Sequence, residues 1–278
     1  MSDFQSENEI ELQFLDTTDK PFLILNKPSG LPSAPINSQD KENALMKAAE
    51  LFPQILKVKG KKEIEYGLLH RLDTVTSGLL LIATTQDFYD YMIEQQKEEK
   101  FSKYYSAECQ IKEDNWKFLE GMGEPEFSFE SSKNSYLKTS DFPPPAETVI
   151  KVSSYFRHFG KNNAQTRPVT EKSSSAALKK LGKKVIYTTE VRILSVDLIN
   201  KTCRVECRIT KGFKHQVRCH LSWIGLPVID DPIYNADFCK KENYSNSNKQ
   251  KSESPKISFC AGKIEFFYPE NKLNKYSL

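Results

Sequence analysis

The stretch from His70 to Ala83 reads HRLDTVTSGLLLIA. A charged tetrad, His70-Arg71-Leu72-Asp73, meets a turn at Thr76-Ser77-Gly78, which opens onto Leu79 to Ala83. A strand that apolar is covered on both faces. Asp73 stands just before it, held close to the core by a rigid element. A catalytic carboxylate suits such a place. An ion pair with Arg71 or His70 is the other reading of the same residues.

The chain has 278 residues, enough for one large domain or two small ones. No apolar run is long enough to span a bilayer. The opening segment MSDFQSENEIELQFLD is acidic and polar, without the basic and apolar regions of a secretory leader. The six cysteines form no dense framework and read as reduced thiols of a cytoplasmic chain. Cys203 and Cys207 lie four apart without a second such pair, so zinc is not expected. Net charge is only +3, but its distribution is uneven. Arg204, Arg208, Lys211, Lys214 and Arg218 share one window with His215 and His220. That is the footprint of a phosphate-backbone partner, and equally the pattern of a solvated charged face.

Residues 1–20 are expected to form a short arm, followed by one domain over 21–278. Phe22 to Leu25 reads as a brief strand ending in the turn Asn26-Lys27-Pro28-Ser29-Gly30. Leu45, Ala48, Ala49 and Phe52 recur at helical spacing between Glu42 and Phe52. A second helix is expected over Asp87 to Lys100, with Phe88, Tyr91, Met92 and Gln95 on one face. Phe101 to Cys109 alternates as a strand. The basic segment Tyr155 to Pro168 reads as a loop, and Ser173 to Ser175 as part of a linker. Lys184–Leu198 and Thr202–Thr210 read as a hairpin turning at Asn200-Lys201. Phe213 to Leu226 reads as a helix with Val217, Leu221 and Ile224 on one side, stopped by Gly225 and Pro227. Residues 237–258 are expected to be a polar surface insert, and Ile264 to Tyr268 the last strand. Without a regular βαβ alternation the class is α+β.

Asp73 could be kept ionised by a buried arginine, and Arg218 is a candidate because its guanidinium can pair a carboxylate in bidentate geometry. His215 and His220 are five apart, the wrong spacing for two metal ligands on one helical face. HRLD lacks the Asn and Gly-rich loop of a kinase, and neither a GxSxG elbow nor a P-loop occurs. A glycosidase needs paired carboxylates. Asp230-Asp231 is the second acidic site, set in a turn beside Pro232.

The same residues carry a resemblance. His70-Arg71-Leu72-Asp73 followed by Thr76-Ser77-Gly78-Leu79-Leu80 resembles the signature of the RluA-type family of RNA pseudouridine synthases. Three more segments match in order. Asn26-Lys27-Pro28-Ser29-Gly30-Leu31 is similar to the family's early Lys-Pro-x-Gly turn, and Lys103-Tyr104-Tyr105-Ser106-Ala107 to its Lys-x-Tyr-x-Ala strand. Gly212-Phe213-Lys214-His215-Gln216-Val217-Arg218-Cys219-His220-Leu221 is similar to its late Gly-Arg-x-His-Gln-x-Arg-x-His-Leu motif. Phe213 departs from the usual Arg, and Thr74-Val75 from the usual charged pair. No S4-type RNA-binding domain is recognisable in the short N-terminal arm.

The resemblance implies a mixed, largely antiparallel sheet with flanking helices and a central active-site cleft. It implies isomerisation of uridine in ribosomal or transfer RNA, without metal or other cofactor. Asp73 would be the essential carboxylate, Tyr105 the ring that stacks on uracil, and Arg218 the partner of Asp73. The target base must leave its stack. Arg71 would enter the space it vacates, and His70, Lys27, Lys211, Lys214, His215 and Gln216 would contact RNA, with Arg208 a further backbone contact. RNA is expected over DNA as partner, with no membrane association and a monomer as the default. A catalytically inactive relative that binds RNA during folding or ribosome assembly is the alternative.

Overall fold

The computed structural model describes residues 12–16, 20–119, 122–130, 142–245, 256–269 and 271–278. They fall into two compact units, one ending at Ile93 and one running from Glu94 to Ser277. The class is α+β, and the strand pairings described within each unit are antiparallel.

The first unit begins with β1 (Gln13–Asp16), inside the segment expected to be an arm, paired to β2 (Phe22–Lys27). Helix α1 (Ala44–Leu51) follows, capped by Asn43, whose side chain accepts from the Met46 amide. Strand β3 (Ser77–Ala83) pairs with β2 from Phe22↔Ala83 to Lys27↔Gly78. Leu79 to Ala83 are fully buried, as two-sided cover requires. The chain ahead of the tetrad also lies on β3: Leu69 N donates to Leu81 O and Ala83 N to Gly67 O. A side chain at Gly67 would stand 2.0 Å from Ala83 O, so only glycine admits this approach. Helix α2 (Gln86–Lys97) buries Phe88, Tyr89, Met92 and Gln95. Tyr89 replaces the expected Tyr91 because its hydroxyl accepts from the Lys61 amide.

The second unit is built on a sheet of β4 (Ser102–Gln110), β5 (Phe127–Glu130), β6 (Val149–Phe159), β7 (Gln165–Val169), β8 (Tyr187–Asp197), β9 (Thr202–Ile209), β10 (Phe259–Phe267) and β11 (Leu273–Ser277). The spatial order is β10-β4-β9-β8-β6-β5, with β11 on β10 and β7 on β6. Its helices are α3 (Ser175–Lys179), α4 (Gln216–Trp223) and α5 (Ala236–Ser245).

Several sequence expectations are corrected here. Tyr155–Pro168 is a hairpin, β6 and β7, not a loop. Its charges hide an aromatic-rich strand pattern, and Gly160, Asn162 and Asn163 take the positive φ of the connecting turn. Ser174 is the N-cap of α3. Helix α4 is shorter than expected and buried along its whole length, with His215 in left-handed conformation at its start. α5 occupies the beginning of the 237–258 segment, and residues 246–255 lie outside the described residues. β11 follows what was read as the last strand. The β8–β9 hairpin turns where expected, with Asp197 accepting from the Ile199 and Asn200 amides. No helix among the described residues is long and apolar enough to cross a membrane.

Candidate active site

In the first unit, Asp73 is half-buried on a loop clamped from both sides. Ahead of it, Ser33 Oγ donates to Leu72 O (2.8 Å) and accepts from Leu72 N (2.9 Å). Behind it, Gly30 N donates to Thr74 O (2.8 Å), Ser29 Oγ donates to Val75 O (2.7 Å), and the Thr76 amide closes onto Asp73 O (3.0 Å). The early Lys-Pro-Ser-Gly turn thus grips the backbone behind the carboxylate, and Ser33, in the loop that follows it, grips the backbone ahead. Preorganisation of this kind holds a reacting group without a cost at the moment of reaction.

Lys27 is the centre of that grip, and its expected RNA contact is corrected. The side chain is wholly buried, and its ammonium donates to Leu31 O (2.7 Å), Pro28 O (2.8 Å) and Thr74 O (3.3 Å). Desolvation pulls its pKa down to about 8, opposed by the Asp73 carboxylate. A positive charge therefore lies in the field of Asp73 from within the same unit. His70 is also used internally: its Nε2 accepts from Leu81 N (3.1 Å), fixing the tetrad to β3. Arg71 is exposed and pairs with Glu65 at 3.0 Å, an exposed geometry that stabilises little.

In the second unit, Tyr105 sits on β4 with its ring stacked on Phe259 of β10 (5.2 Å between centroids, 4° between planes). The β4–β10 register slips between Cys260, opposite Ser106, and Lys263, opposite Tyr104. A bulge therefore faces Tyr105, the kind of irregularity that re-aims a side chain. Arg218 is buried on α4, and its Nε and Nη2 meet Asp231 Oδ2 and Oδ1 at 2.7 and 2.8 Å. Its guanidinium also lies over the Tyr234 ring, 5.5 Å from the centroid.

The late motif divides into surface and interior. Lys211 is part-exposed and pairs with Glu99, and Arg208 pairs with Glu190. Lys214 is exposed, with its ammonium on Asn163 O (2.8 Å). Gln216 is buried and its expected RNA contact is corrected. Its amide donates to Thr188 O (3.0 Å) and its Oε1 accepts from Phe213 N (3.0 Å), so its polar atoms are used to shape the turn into α4. His215 is half-buried with Nδ1 3.1 Å from the Tyr234 hydroxyl. His220 is fully buried between Ser154 and Thr189 hydroxyls, and burial lowers its pKa to about 3, so it is neutral. Phe213, where the family pattern has Arg, stacks on Phe156 (5.2 Å, 9°) and touches Tyr187 and His158.

The sequence model of the family described as RNA pseudouridylate synthase matches residues 21–223. The chain belongs to that RluA-type family. It is 23% identical over 216 residues to ribosomal large subunit pseudouridine synthase D of Yersinia pestis, covering 78% of this chain and 50% of that protein. It is 26% identical over 260 residues to ribosomal large subunit pseudouridine synthase C of Buchnera aphidicola, covering 92% and 63%. The chain thus spans about half to two thirds of the length of these curated relatives. Its fold is similar to human RNA Pseudouridylate Synthase Domain Containing 1 (TM-score 0.58, 14% identity, 96% of this chain and 83% of that one).

The structure adds residues to this pseudouridylate synthase frame that sequence reading missed. Ser33 lay in a proline-rich loop with nothing to distinguish it, and Asp231, in the Asp230–Tyr234 stretch beyond the late motif, was given no role except that of a possible second acid. Thr166 gave no signal at all, because its partners are distant in sequence. Its amide donates to the Tyr234 hydroxyl (2.9 Å) and its Oγ1 to Lys214 O (3.1 Å), tying β7 to the turn before α4.

Proposed function

We propose that this chain is an RNA pseudouridine synthase that isomerises specific uridines in ribosomal or transfer RNA, with Asp73 as the essential carboxylate. The observation that carries the reading is the two-sided clamp on the Asp73 loop, one side of which is built from the early turn that the family shares. The names of the ribosomal large-subunit relatives support RNA as substrate and ribosomal RNA as the first RNA to test.

The reaction breaks the bond from C1′ of ribose to N1 of uracil and makes one from C1′ to C5. The hydrogen on C5 is lost and N1 gains one. Asp73 acts at the sugar or on its proton, with Lys27 supplying fixed positive charge nearby. Tyr105, aimed by the bulge and braced by Phe259, stacks on the detached ring while it turns. Arg218, held by Asp231, belongs to the charged surroundings of the reaction. Arg71 exchanges its exposed pairing with Glu65 for RNA when the target base flips out. Lys211 and Lys214 contact the phosphate backbone.

The test is Asp73→Asn, incubated with ribosomal RNA lacking the modification and labelled with tritium at uracil C5. The variant is expected to unfold at the wild-type urea concentration yet release no tritium. Release at the wild-type rate would remove Asp73 from the chemistry. Tight RNA binding by wild-type protein without any tritium release would instead support a non-catalytic RNA-binding relative.

A further inference from the structure

The connector from α3 to β8 carries a run of lysines that the reaction leaves unused. Residues 172–189, KSSSAALKKLGKKVIYTT, contain five lysines and no Asp or Glu. The whole chain has a net charge of only +3, so without these five it would be net acidic. Lys172 pairs with Glu126 at 3.2 Å. Lys179, Lys180, Lys183 and Lys184 are exposed, and none makes an ion pair or a side-chain hydrogen bond among the described residues. Ammonium groups crowded in this way repel one another, and counterions or a polyanion relieve the repulsion.

The connector is fixed at both ends and open between them. At one end Ala177 of α3 is buried, and the Lys180 amide donates to Ala177 O (3.2 Å). In the middle, a side chain at Gly182 would meet nothing within 4 Å. At the other end β8 begins against the turn of the late motif. The Tyr187 ring stands edge-on to that of Phe213, 5.2 Å between centroids, and the Gln216 amide donates to Thr188 O (3.0 Å). Lys184 stands just ahead of these contacts, so the lysine run leads to the turn that carries Lys211 and Lys214. A lysine binds phosphate as a point charge, and a short lysine-rich run suits a nucleic-acid backbone. Phosphates that recur along a strand match a row of ammonium groups better than a single small anion does. Helix α3 has five residues, too short to lie on a membrane as an amphipathic helix.

We propose that Lys179, Lys180, Lys183 and Lys184 form an RNA-backbone track that takes up the strand flanking the target uridine and continues the basic turn of the late motif along the α3–β8 connector. The track rests on the reading of the chain as a protein that acts on RNA. It adds affinity for the RNA and takes no part in the chemistry.

Anisotropy of a fluorescein-labelled stem–loop RNA of about 40 nucleotides, followed across a salt series, tests it. A variant carrying Lys179→Gln, Lys180→Gln, Lys183→Gln and Lys184→Gln is expected to bind about 10-fold or more weakly at about 0.1 M salt, with the salt slope lower by about 2 to 4. The same four positions changed to Arg, which keeps the charges, are expected to bind within about threefold of wild type. Lys183→Gln with Lys184→Gln is set against Lys201→Gln with Lys272→Gln, two exposed lysines on other turns. The first pair is expected to lower the slope by about 1 to 2, and the second to leave affinity within about twofold of wild type. Equal losses in the two pairs would overturn the track, because net charge and not place would then set the affinity. So would wild-type affinity and salt slope in the four-Gln variant. Loss of binding to phosphatidylcholine vesicles containing phosphatidylserine, with RNA affinity unchanged, would overturn it in favour of a membrane surface. Tritium release measured on the same preparations separates the two proposals. Lost affinity in the four-Gln variant with an inactive wild type sinks the proposed reaction and keeps the track.

Discussion

The fork of Arg218 lies against the carboxylate of Asp231, Nε to Oδ2 at 2.7 Å and Nη2 to Oδ1 at 2.8 Å. Both side chains are buried, at 1% and 0% exposure. Asp231 Oδ1 also accepts from the Ile233 and Tyr234 amides (2.9 and 3.1 Å), so one carboxylate joins α4 to the turn after it. Removing it takes a bidentate carboxylate from a buried cation and an acceptor from two amides. Asp231→Ala is expected to destabilise the protein by about 3–5 kcal/mol in urea unfolding. A loss below about 1 kcal/mol would mean that the pair is not what holds Arg218 in place.

Ser33 makes a different kind of claim, because it touches no reacting atom. Its hydroxyl takes both backbone groups of Leu72, the residue before Asp73. Ser33→Ala is expected to cost about 1–2 kcal/mol of stability. It is also expected to lower kcat by about tenfold or more with KM within about twofold, since small misplacements of a catalytic group are expensive. A stability loss with unchanged kcat would reduce Ser33 to a structural bond.

These two residues show where sequence reading stopped. β3 was legible because Leu79 to Ala83 is apolar on both faces, and the β8–β9 turn because Asn200-Lys201 is a local signal. Tyr155–Pro168 was misread because its charges outweighed a strand pattern in which Tyr155–Phe159 pairs back on Gln165–Val169. Lys27 and Gln216 were read as RNA contacts from the family resemblance. Both are buried with their polar atoms used inside the fold, and burial depends on which segments come to cover a side chain. Asp231, which joins Arg218 through both of its oxygens, stands thirteen residues on and was given no such part from the sequence. The distance from Leu72 to Ser33 in sequence hides their bond in the same way.

Gly225 closes α4 at φ +87°, and a side chain there would stand 2.3 Å from Lys112 O. Strain and clash therefore act together at the end of the helix that carries Arg218. Gly225→Ala is expected to destabilise by about 2–4 kcal/mol and to lower the melting temperature accordingly. Gly123→Ala, where a side chain would meet nothing within 4 Å, is the control and is expected to change stability by less than about 0.5 kcal/mol. Equal losses in the two variants would refute the close approach at Gly225.

Lys27 ties stability to pH with a definite sign. Its folded pKa is held to about 8 by burial, and the Asp73 carboxylate only partly opposes this. An unfolded lysine titrates near 10.4. Between about pH 8 and 10 the unfolded chain therefore binds more protons at this site than the folded one, so this group makes stability rise with pH. The slope is at most about 1.4 kcal/mol per pH unit for one proton. Below pH 8 both states are charged and the contribution is flat. Lys103, buried on β4 and also lowered to about 8, adds its own rise. That rise is common to wild type and Lys27→Met and cancels in their difference. Urea unfolding of both proteins at pH 7.5, 8.5 and 9.5 reads the effect directly. Wild type is expected to gain on Lys27→Met as pH increases, and parallel stability curves would show that the Lys27 ammonium is not held under a burial penalty beside Asp73.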